Sequence, residues 1–203
     1  QQSLKNALEF IGIKYILTSN KEEIAASDLI ALPGVGSYPE GVKQLKKRGL
    51  FEYIKSEVHE NKKPILGICL GMQLLLEESE EFITTTGLGL IKGKVKSLPK
   101  VNKFGEKLTK PHVGWNQLIM KKTLETKKDE NISQYFVHSY SAVGIDTKQI
   151  IYKCNYEGIS IVAGIRNENI CGYQFHPERS GFKGLSLLKD TIISLTSPSK
   201  HKS

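Results

Sequence analysis

A cysteine between two glycines is the first candidate for chemistry in this 203-residue chain. Cys69 lies in the segment GICLG, residues 67–71, after the apolar run PILGI and before a helical pattern at residues 70–76. A nucleophile in this setting occupies a sharp strand-to-helix turn, where bulky neighbours would obstruct it. The start of the next helix favours a thiolate, and the N–H of Leu70 can help hold an oxyanion. Free cysteines are commonly buried core residues, so the segment alone leaves that reading open.

A base and an orienting carboxylate occur together in the segment GYQFHPE, residues 172–178. His176 ends a predicted strand, at the edge where α/β active sites form, and could take the thiol proton. Glu178 can accept the other imidazole N–H and so fix the tautomer. An ordinary polar loop remains the alternative, because the chain has five histidines. The remaining histidines lack such a setting, and the other two cysteines lack flanking glycines and are predicted core residues: His59, His112, His138, His201, Cys154 and Cys171.

A glycine-containing turn follows another predicted strand, in the segment LPGVG at residues 32–36. Because it lies at a strand end, we expect it at the same sheet edge as Cys69. Gly34 and Gly36 leave the backbone free to direct N–H groups at a substrate oxygen. Such a segment is usually only a turn, so its value depends on its occurrence with the other two segments.

The elements that position these segments follow from the apolar patterns. Helical patterns in the first half alternate with short apolar strands, which predicts a parallel sheet covered on both faces. The second half contains mainly strands, several of which we expect to pair as antiparallel hairpins, and a closing amphipathic helix. The predicted helices lie at residues 4–11, near 42–45, and at 51–58, 70–76 and 182–192; the predicted strands lie at 14–18, 28–32, 64–68, 90–98, 117–120, 134–140, 149–155, 160–166 and 170–175.

Composition and charge restrict the functional class. Apolar residues make up 39% of the chain, no apolar run reaches the length of a transmembrane helix, and no signal peptide is visible. The three cysteines argue against a disulfide framework or a cysteine-based zinc site, which favours a reducing, cytoplasmic setting. The net charge of +8 comes from short lysine groups without interleaved aromatic residues, so we expect a solvated surface and neither a nucleic-acid nor a membrane partner. An anionic substrate or an acidic partner remains open.

The three segments, in this order, resemble those of the class I, triad-type, glutamine amidotransferases. The resemblance spans about residues 3 to 195 and implies one flavodoxin-like α/β domain over residues 1–203. Its central, mostly parallel sheet would be flanked by helices and carry an antiparallel extension. The implied reaction hydrolyses glutamine to glutamate and ammonia without a cofactor or metal. Cys69 would attack the carboxamide, His176 would transfer protons and Glu178 would orient His176.

Finer features are similar to one branch of that family, the glutaminase subunits of imidazole glycerol phosphate synthases of histidine biosynthesis. They are Met72, which follows the GICLG segment, and the segments EESEE, HVGWN, YFVHSY and RSG at residues 77–81, 112–116, 135–140 and 179–181. The anthranilate and aminodeoxychorismate branches usually have His where Met72 stands and lack the Gly-Trp-Asn segment.

This branch implies roles for further residues. The chain would form a heterodimer with a (β/α)₈-barrel cyclase subunit, and ammonia would pass from this chain to that subunit. The implied oxyanion donors are the backbone groups of Val35, Gly36 and Leu70; the implied glutamine-binding residues are Gln73, Glu81, Ser139, Tyr140 and Ser141; the implied cyclase-facing residues are Trp115, Asn116, Tyr135 and Arg179.

Departures from the family pattern leave some points open. Family members begin with an apolar strand and a glycine-containing loop, whereas Gln1 already lies at the entry to the first helix, so we expect an N-terminally incomplete sequence. Arg179 stands where Lys is more usual, and the two cations are not equivalent. We expect residues 197–203 to be frayed.

Three alternative functions remain. The chain could be a catalytically silent partner-binding subunit, a glutaminase subunit of the anthranilate or aminodeoxychorismate type, or a Cys–His peptidase. Gln73 and Glu81 favour a small polar amino-acid substrate over a peptide.

Overall fold

The computed structural model describes residues 2–120 and 132–197. The lysine groups at 121–122, 127–128 and 200–202, and the tail beyond residue 197, lie outside the described residues. The helices are α1 (Gln2–Phe10), α2 (Lys21–Ala26), α3 (Tyr38–Lys47), α4 (Phe51–His59), α5 (Leu70–Leu74), the 3₁₀ helix Pro177–Arg179 and α6 (Gly181–Thr196). The strands are β1 (Ile30–Gly34), β2 (Ile65–Cys69), β3 (Glu78–Ser79), β4 (Thr85–Thr86), β5 (Lys94–Ser97), β6 (His112–Met120), β7 (Ser133–His138), β8 (Tyr140–Val143), β9 (Ile150–Tyr156), β10 (Ile159–Asn167) and β11 (Ile170–Tyr173).

A parallel group of three strands forms one side of the main sheet. The seven strands of this sheet run in the order β1-β2-β11-β10-β9-β6-β7, and β2 pairs in parallel with both β1 and β11. The carboxyl ends of these three strands therefore meet at one edge, as the sequence predicts. That edge carries the three segments singled out above.

The second half extends the sheet by antiparallel pairing. Strands β9, β10 and β11 form successive hairpins, and β6 pairs with both β9 and β7. A second sheet, in the order β4-β3-β5-β8, shares a core cluster with helices α3 and α4. The predicted α/β class with an antiparallel extension is confirmed, but the main sheet is mixed rather than mostly parallel: among the described strands of this sheet, the parallel pairs are β1–β2 and β2–β11.

The core lies on both faces of the main sheet because side chains alternate along the buried strand β2. Ile65 joins a cluster with α3, α4 and the second sheet, whereas Leu66 and Ile68 join a cluster with α1 and α6. Both faces of β2 are buried, as expected for a strand in the middle of a parallel sheet. This packing fixes the position of Cys69 at the end of the strand.

Two of the departures from the predicted elements concern exposed apolar side chains. Residues 14–18 join no ladder of the described strands, and the side chains of Ile16 and Leu17 are more than half exposed. An apolar run becomes a strand only when a neighbouring edge satisfies its backbone groups, and none of the described strands pairs with this run. Phe182 begins the closing helix but is 81% exposed, so the buried stripe of α6 starts further along and includes Leu188 and Ile192.

Candidate active site

Cys69 occupies a strained turn between β2 and α5. Its φ and ψ are 55° and −112°, a conformation that residues other than glycine rarely adopt. A Cβ added to Gly67 would lie 2.6 Å from the backbone of Gly71, and one added to Gly71 would lie 1.7 Å from the carbonyl oxygen of Leu32. The two glycines therefore allow β1, β2 and α5 to approach closely, which holds the cysteine in this turn.

The loop after β1 lies directly beside this elbow. Gly34 is the register partner of Cys69, and a Cβ on Gly34 would lie 2.8 Å from the Cβ of Leu70. Gly36 has a φ of +110°, and no described atom lies within 4 Å of the position of its missing Cβ. Glycine is thus needed for a different reason at each position: a close contact at Gly34 and an unusual backbone conformation at Gly36. Val35, between them, is 80% exposed.

His176 and Glu178 form a buried pair after β11. The Nδ1 atom of His176 lies 2.8 Å from Oε1 of Glu178, and both side chains are less than a tenth exposed. The backbone N–H of His176 donates to the carbonyl of Tyr135, while Ser180 Oγ donates to the carbonyl of His176. Strand β7 therefore holds the histidine backbone in place.

The pKa of His176 shows the electrostatic character of the site. Burial lowers it, but hydrogen bonds and attraction to Cys69 and Glu178 outweigh burial and raise the pKa to about 9. Nε2 of His176 has no hydrogen-bond partner among the described residues. The sulfur of Cys69 is nevertheless close enough to be the largest of the influences that raise the pKa of His176. A looser contact of this kind is common before substrate tightens a catalytic site. The surroundings therefore favour an imidazolium beside the sulfur.

The other two cysteines are core residues, as predicted. Cys154 and Cys171 are fully buried. Burial raises the pKa of Cys154 to about 12 and that of Cys171 to about 11. Both remain thiols at neutral pH and have no role as nucleophiles.

Cys69 and His176 line a cavity of about 610 Å³, which is large enough for an amino acid. Most of the predicted substrate and oxyanion residues also line it: Val35, Gly36, Leu70, Gln73, Glu81, Ser139 and Tyr140. Ser141 is buried in β8, where it pairs with Lys96, and it is not part of the cavity wall. The cavity also has lining residues that the sequence did not single out: Phe82, Ser97, Lys110, Pro111, Val137 and His138.

Gln73 and Glu81 are both engaged with the protein. The Nε2 of Gln73 donates to the carbonyl of Tyr140 and to Oε1 of Gln174, each at 3.0 Å. The Oε2 of Glu81 accepts the backbone N–H of Tyr38 at the start of α3, at 2.7 Å. Glu81 is therefore held against the cavity wall by one carboxylate oxygen.

A pair of buried histidines lies at the cavity wall, to which His138 belongs. Nδ1 of His112 is 3.0 Å from Nε2 of His138, and Nδ1 of His138 lies 2.8 Å from the carbonyl oxygen of Tyr140, to which it donates. Burial lowers the pKa of both rings, that of His138 to about 3. No local pattern in the sequence indicates this pair, because the two residues lie 26 positions apart and meet only through the β6–β7 register.

Three of the four predicted cyclase-facing residues form one surface. Trp115 and Tyr135 face each other across β6 and β7, with ring centroids 6.2 Å apart, and the guanidinium of Arg179 lies 4.7 Å from the centre of the Tyr135 ring. Asn116 follows Trp115 in an alternating strand and lies on the opposite face. Its side chain lies 2.7 Å from His112 Nε2 and donates to the carbonyl of Asn155. The prediction for Asn116 thus has no support from its position.

The described residues offer no site for a metal ion: nowhere in 2–120 and 132–197 do three or more His, Cys, Asp or Glu cluster in a suitable arrangement. None of the helices within those same ranges is long and apolar enough to cross a membrane.

Comparison with known proteins identifies the relatives of this chain. The family model for glutamine amidotransferase class-I matches residues 1–195. The imidazole glycerol phosphate synthase subunit HisH of Listeria monocytogenes serotype 4b is 48% identical over 191 residues, covering 93% of this chain and 88% of that protein. The HisH subunit of Geobacillus thermodenitrificans is 41% identical over 197 residues, covering 96% and 91%.

A solved structure supports the same assignment at the level of the fold. A crystal structure of a glutamine amidotransferase superposes with a TM-score of 0.73 at 17% identity, covering 97% of this chain and 94% of that one. The three segments at the sheet edge, the match over most of the chain and the relatives agree. The chain therefore belongs to the class-I glutamine amidotransferase family, in the group of imidazole glycerol phosphate synthase HisH subunits.

Proposed function

We propose that this chain hydrolyses glutamine and passes the ammonia to a (β/α)₈-barrel cyclase subunit, in the cytoplasm, for histidine biosynthesis. The observation that carries the proposal is the meeting of Cys69, His176 and Glu178 at one sheet edge, beside a cavity of amino-acid size. The relatives named as HisH subunits of imidazole glycerol phosphate synthase supply the pathway and the partner.

The proposed reaction begins with the sulfur of Cys69. The thiolate attacks the side-chain carboxamide of glutamine, and the C–N bond breaks as His176 gives its proton to the departing nitrogen. Ammonia leaves and a thioester remains. His176 then takes a proton from water, which attacks the thioester and releases glutamate and the thiolate. The balance is one glutamine and one water in, one glutamate and one ammonia out.

The remaining cavity residues fit roles in binding and charge stabilisation. The backbone N–H groups after Gly34 and at Leu70 would hold the oxyanion that forms on the carboxamide oxygen. The carboxylate of Glu81 suits the α-ammonium group of glutamine. We keep Gln73, Ser139 and Tyr140 as further parts of the substrate wall, and we leave Ser141 out because it is buried in β8.

The partner surface proposed here is the group of Trp115, Tyr135 and Arg179. An exposed tryptophan beside a tyrosine that stacks with an arginine is the composition found at the centres of protein interfaces. This composition suits a protein partner, and we propose neither a nucleic acid nor a membrane as a partner.

A glutamine analogue with a chloromethyl ketone in place of the carboxamide tests the proposal. We expect it to alkylate the peptide that carries Cys69, at one equivalent per chain, and free glutamine to protect against it. In parallel, ammonia release from glutamine should exceed that from glutaminyl peptides. Labelling at another residue, or preference for the peptides, would reject this function in favour of a silent subunit or a peptidase.

A further inference from the structure

Gln174 is a buried amide that contacts the nucleophile, and none of the roles described above includes it. It follows β11, two residues before His176, and its side chain is fully buried. Its Nε2 lies 3.9 Å from the sulfur of Cys69, and its Oε1 lies 3.0 Å from Nε2 of Gln73. One side chain therefore joins the elbow to a wall of the cavity.

The orientation of this amide follows from its neighbours. The carbonyl oxygen of Tyr140 can only accept a hydrogen bond, so the Gln73 atom beside it must be the NH₂ group. The second proton of that NH₂ group points at Gln174, which must present its oxygen. The NH₂ group of Gln174 is thereby turned toward Cys69.

The carbonyl that fixes this chain of hydrogen bonds is itself held in place. His138 donates its Nδ1–H to the same oxygen of Tyr140, at 2.8 Å. The backbone N–H of Gln174 donates to the carbonyl of Ala163 in the neighbouring strand. Both ends of the arrangement are thus anchored in the sheet, and flipping the amide of Gln174 would place two NH₂ groups against each other.

An N–H donor directed at sulfur interacts more strongly with the thiolate than with the thiol, because hydrogen bonds to a charged acceptor are the stronger ones. The sulfur also lies 3.9 Å from the carbonyl oxygen of Val137, which can accept the thiol proton but gives nothing to the anion. The amide of Gln174 therefore favours the reactive form of Cys69.

We propose that Gln174 is a positioning residue that holds the sulfur of Cys69 in the thiolate form and holds Gln73 in the cavity wall. This inference deepens the proposed function and rests on Cys69 being the nucleophile. It predicts an effect on the sulfur that can be measured without glutamine.

The alternative is that Gln174 only fills space in the core. Gln134 in β7 offers a matched comparison, because it is also fully buried and neither of its amide atoms has a hydrogen-bond partner among the described residues. If burial alone matters, replacing either glutamine by the similarly shaped methionine should affect the site equally.

The first experiment measures the rate at which iodoacetamide alkylates Cys69 between pH 5 and 10, in the full chain. In Gln174→Met and Gln174→Glu we expect the midpoint of the profile to move up by about one unit, which lowers the rate about tenfold at any pH below both midpoints. Gln134→Met should keep the wild-type profile. An unchanged midpoint in both folded Gln174 variants, or an equal shift in Gln134→Met, would overturn the proposal.

The two substitutions also separate the two contacts. A glutamate at position 174 keeps an acceptor for Gln73 but loses the donor to sulfur, so Gln174→Glu should lower kcat with little change in KM. Gln174→Met loses both contacts and should also raise KM for glutamine. A purely structural role would not produce this split between the variants.

A measurement on the unaltered chain covers the case in which neither variant folds. The side-chain ¹⁵N–¹H resonances of Gln174 should shift with pH at the midpoint found for alkylation of Cys69. If these chemical shifts do not change with pH at that midpoint, the contact between Gln174 and the sulfur is rejected. If alkylation follows the proposal but the unaltered chain releases no ammonia from glutamine with or without the cyclase barrel, then the proposed function fails while the effect of Gln174 on the sulfur stands.

Discussion

At the scale of single residues, the site depends on charges that are kept apart from water. Cys69, His176 and the carboxylate of Glu178 are almost completely buried, and a raised pKa keeps His176 protonated at neutral pH. An imidazolium next to the sulfur of Cys69 places a proton donor beside the proposed nucleophile, and attack on a carboxamide needs both. The two proposed steps follow directly from this arrangement.

Replacing the sulfur tests the first step. We expect Cys69→Ala to abolish ammonia release from glutamine and to leave binding of the cyclase barrel unchanged, because Cys69 lies in the cavity and not on the Trp115 surface. Ammonia release and an affinity titration with the barrel measure the two properties. A variant with wild-type turnover would remove Cys69 from the mechanism.

The pair His176–Glu178 is tested by comparing two substitutions. Glu178→Gln keeps an oxygen for Nδ1 of the imidazole but removes the negative charge, so the pKa of His176 should fall from about 9 toward the ordinary value of 6.5. Turnover should fall less than in His176→Ala, which has no base at all. Titration of the histidine by NMR, together with steady-state kinetics, gives both results; the reverse order of activities would mean that the roles are assigned wrongly.

At the scale of elements, the glycines around the elbow act by different physical means. Gly71 lets α5 cross β1 at a distance that excludes any side chain, whereas Gly36 provides a positive φ in an open loop. A sequence shows that glycine is present but not which of the two reasons applies. The sequence predicts a free backbone at both Gly34 and Gly36. In the structure only Gly36 lies in an open loop, because Gly34 belongs to the β1 ladder.

These two positions predict opposite phenotypes. Gly71→Ala should destabilise the fold by about 3 kcal/mol or more, because its Cβ would overlap the backbone oxygen of Leu32. Gly36→Val should fold, but it should lower barrel-stimulated turnover by roughly 10²–10³, since a displaced oxyanion donor costs about that much. Urea unfolding and kinetics separate the two effects, and a stable, inactive Gly71→Ala would contradict this assignment.

Strong local patterns explain why most elements could be predicted. Apolar runs and the glycine elbow gave the strands of the active edge, and their parallel order placed Cys69 and His176 together. Residues 14–18 show the limit: the run is apolar enough for a strand, but none of the described strands pairs with it. The contacts of Gln174 and the pairing of His112 with His138 depend on the register between strands, which no local pattern encodes.

At the scale of the whole molecule, one strand connects the proposed partner surface to the base. The ring of Tyr135 belongs to that surface. The backbone carbonyl of Tyr135 accepts the N–H of His176, and the backbone N–H of Tyr135 donates to Ser180 Oγ. Strand β7 thus contacts the base directly, through the backbone carbonyl of Tyr135. A shift of β7 on binding would therefore move the base itself.

The partner surface can be tested separately from the chemistry. Trp115→Ala should weaken binding of the cyclase barrel by about 2 kcal/mol, because exposed tryptophans in such patches are typical hot spots. Ile119→Ala, which removes another exposed apolar side chain further along β6, is the control and should change binding little. Isothermal titration with the barrel measures both, and equal effects would mean that the Trp115 surface is not the contact.

The central claim is that this chain is a glutaminase whose turnover depends on its partner. Its most direct test is the rate of ammonia release from glutamine by the chain alone, with the cyclase barrel, and with the barrel and its nucleotide ligand. We expect a low rate for the isolated chain, a higher rate in the complex and the highest with ligand, because the contact between β7 and His176 and the open Gly36 loop leave the site adjustable. Equal rates in all three states would contradict the coupling, and the absence of ammonia in all three would contradict the glutaminase itself.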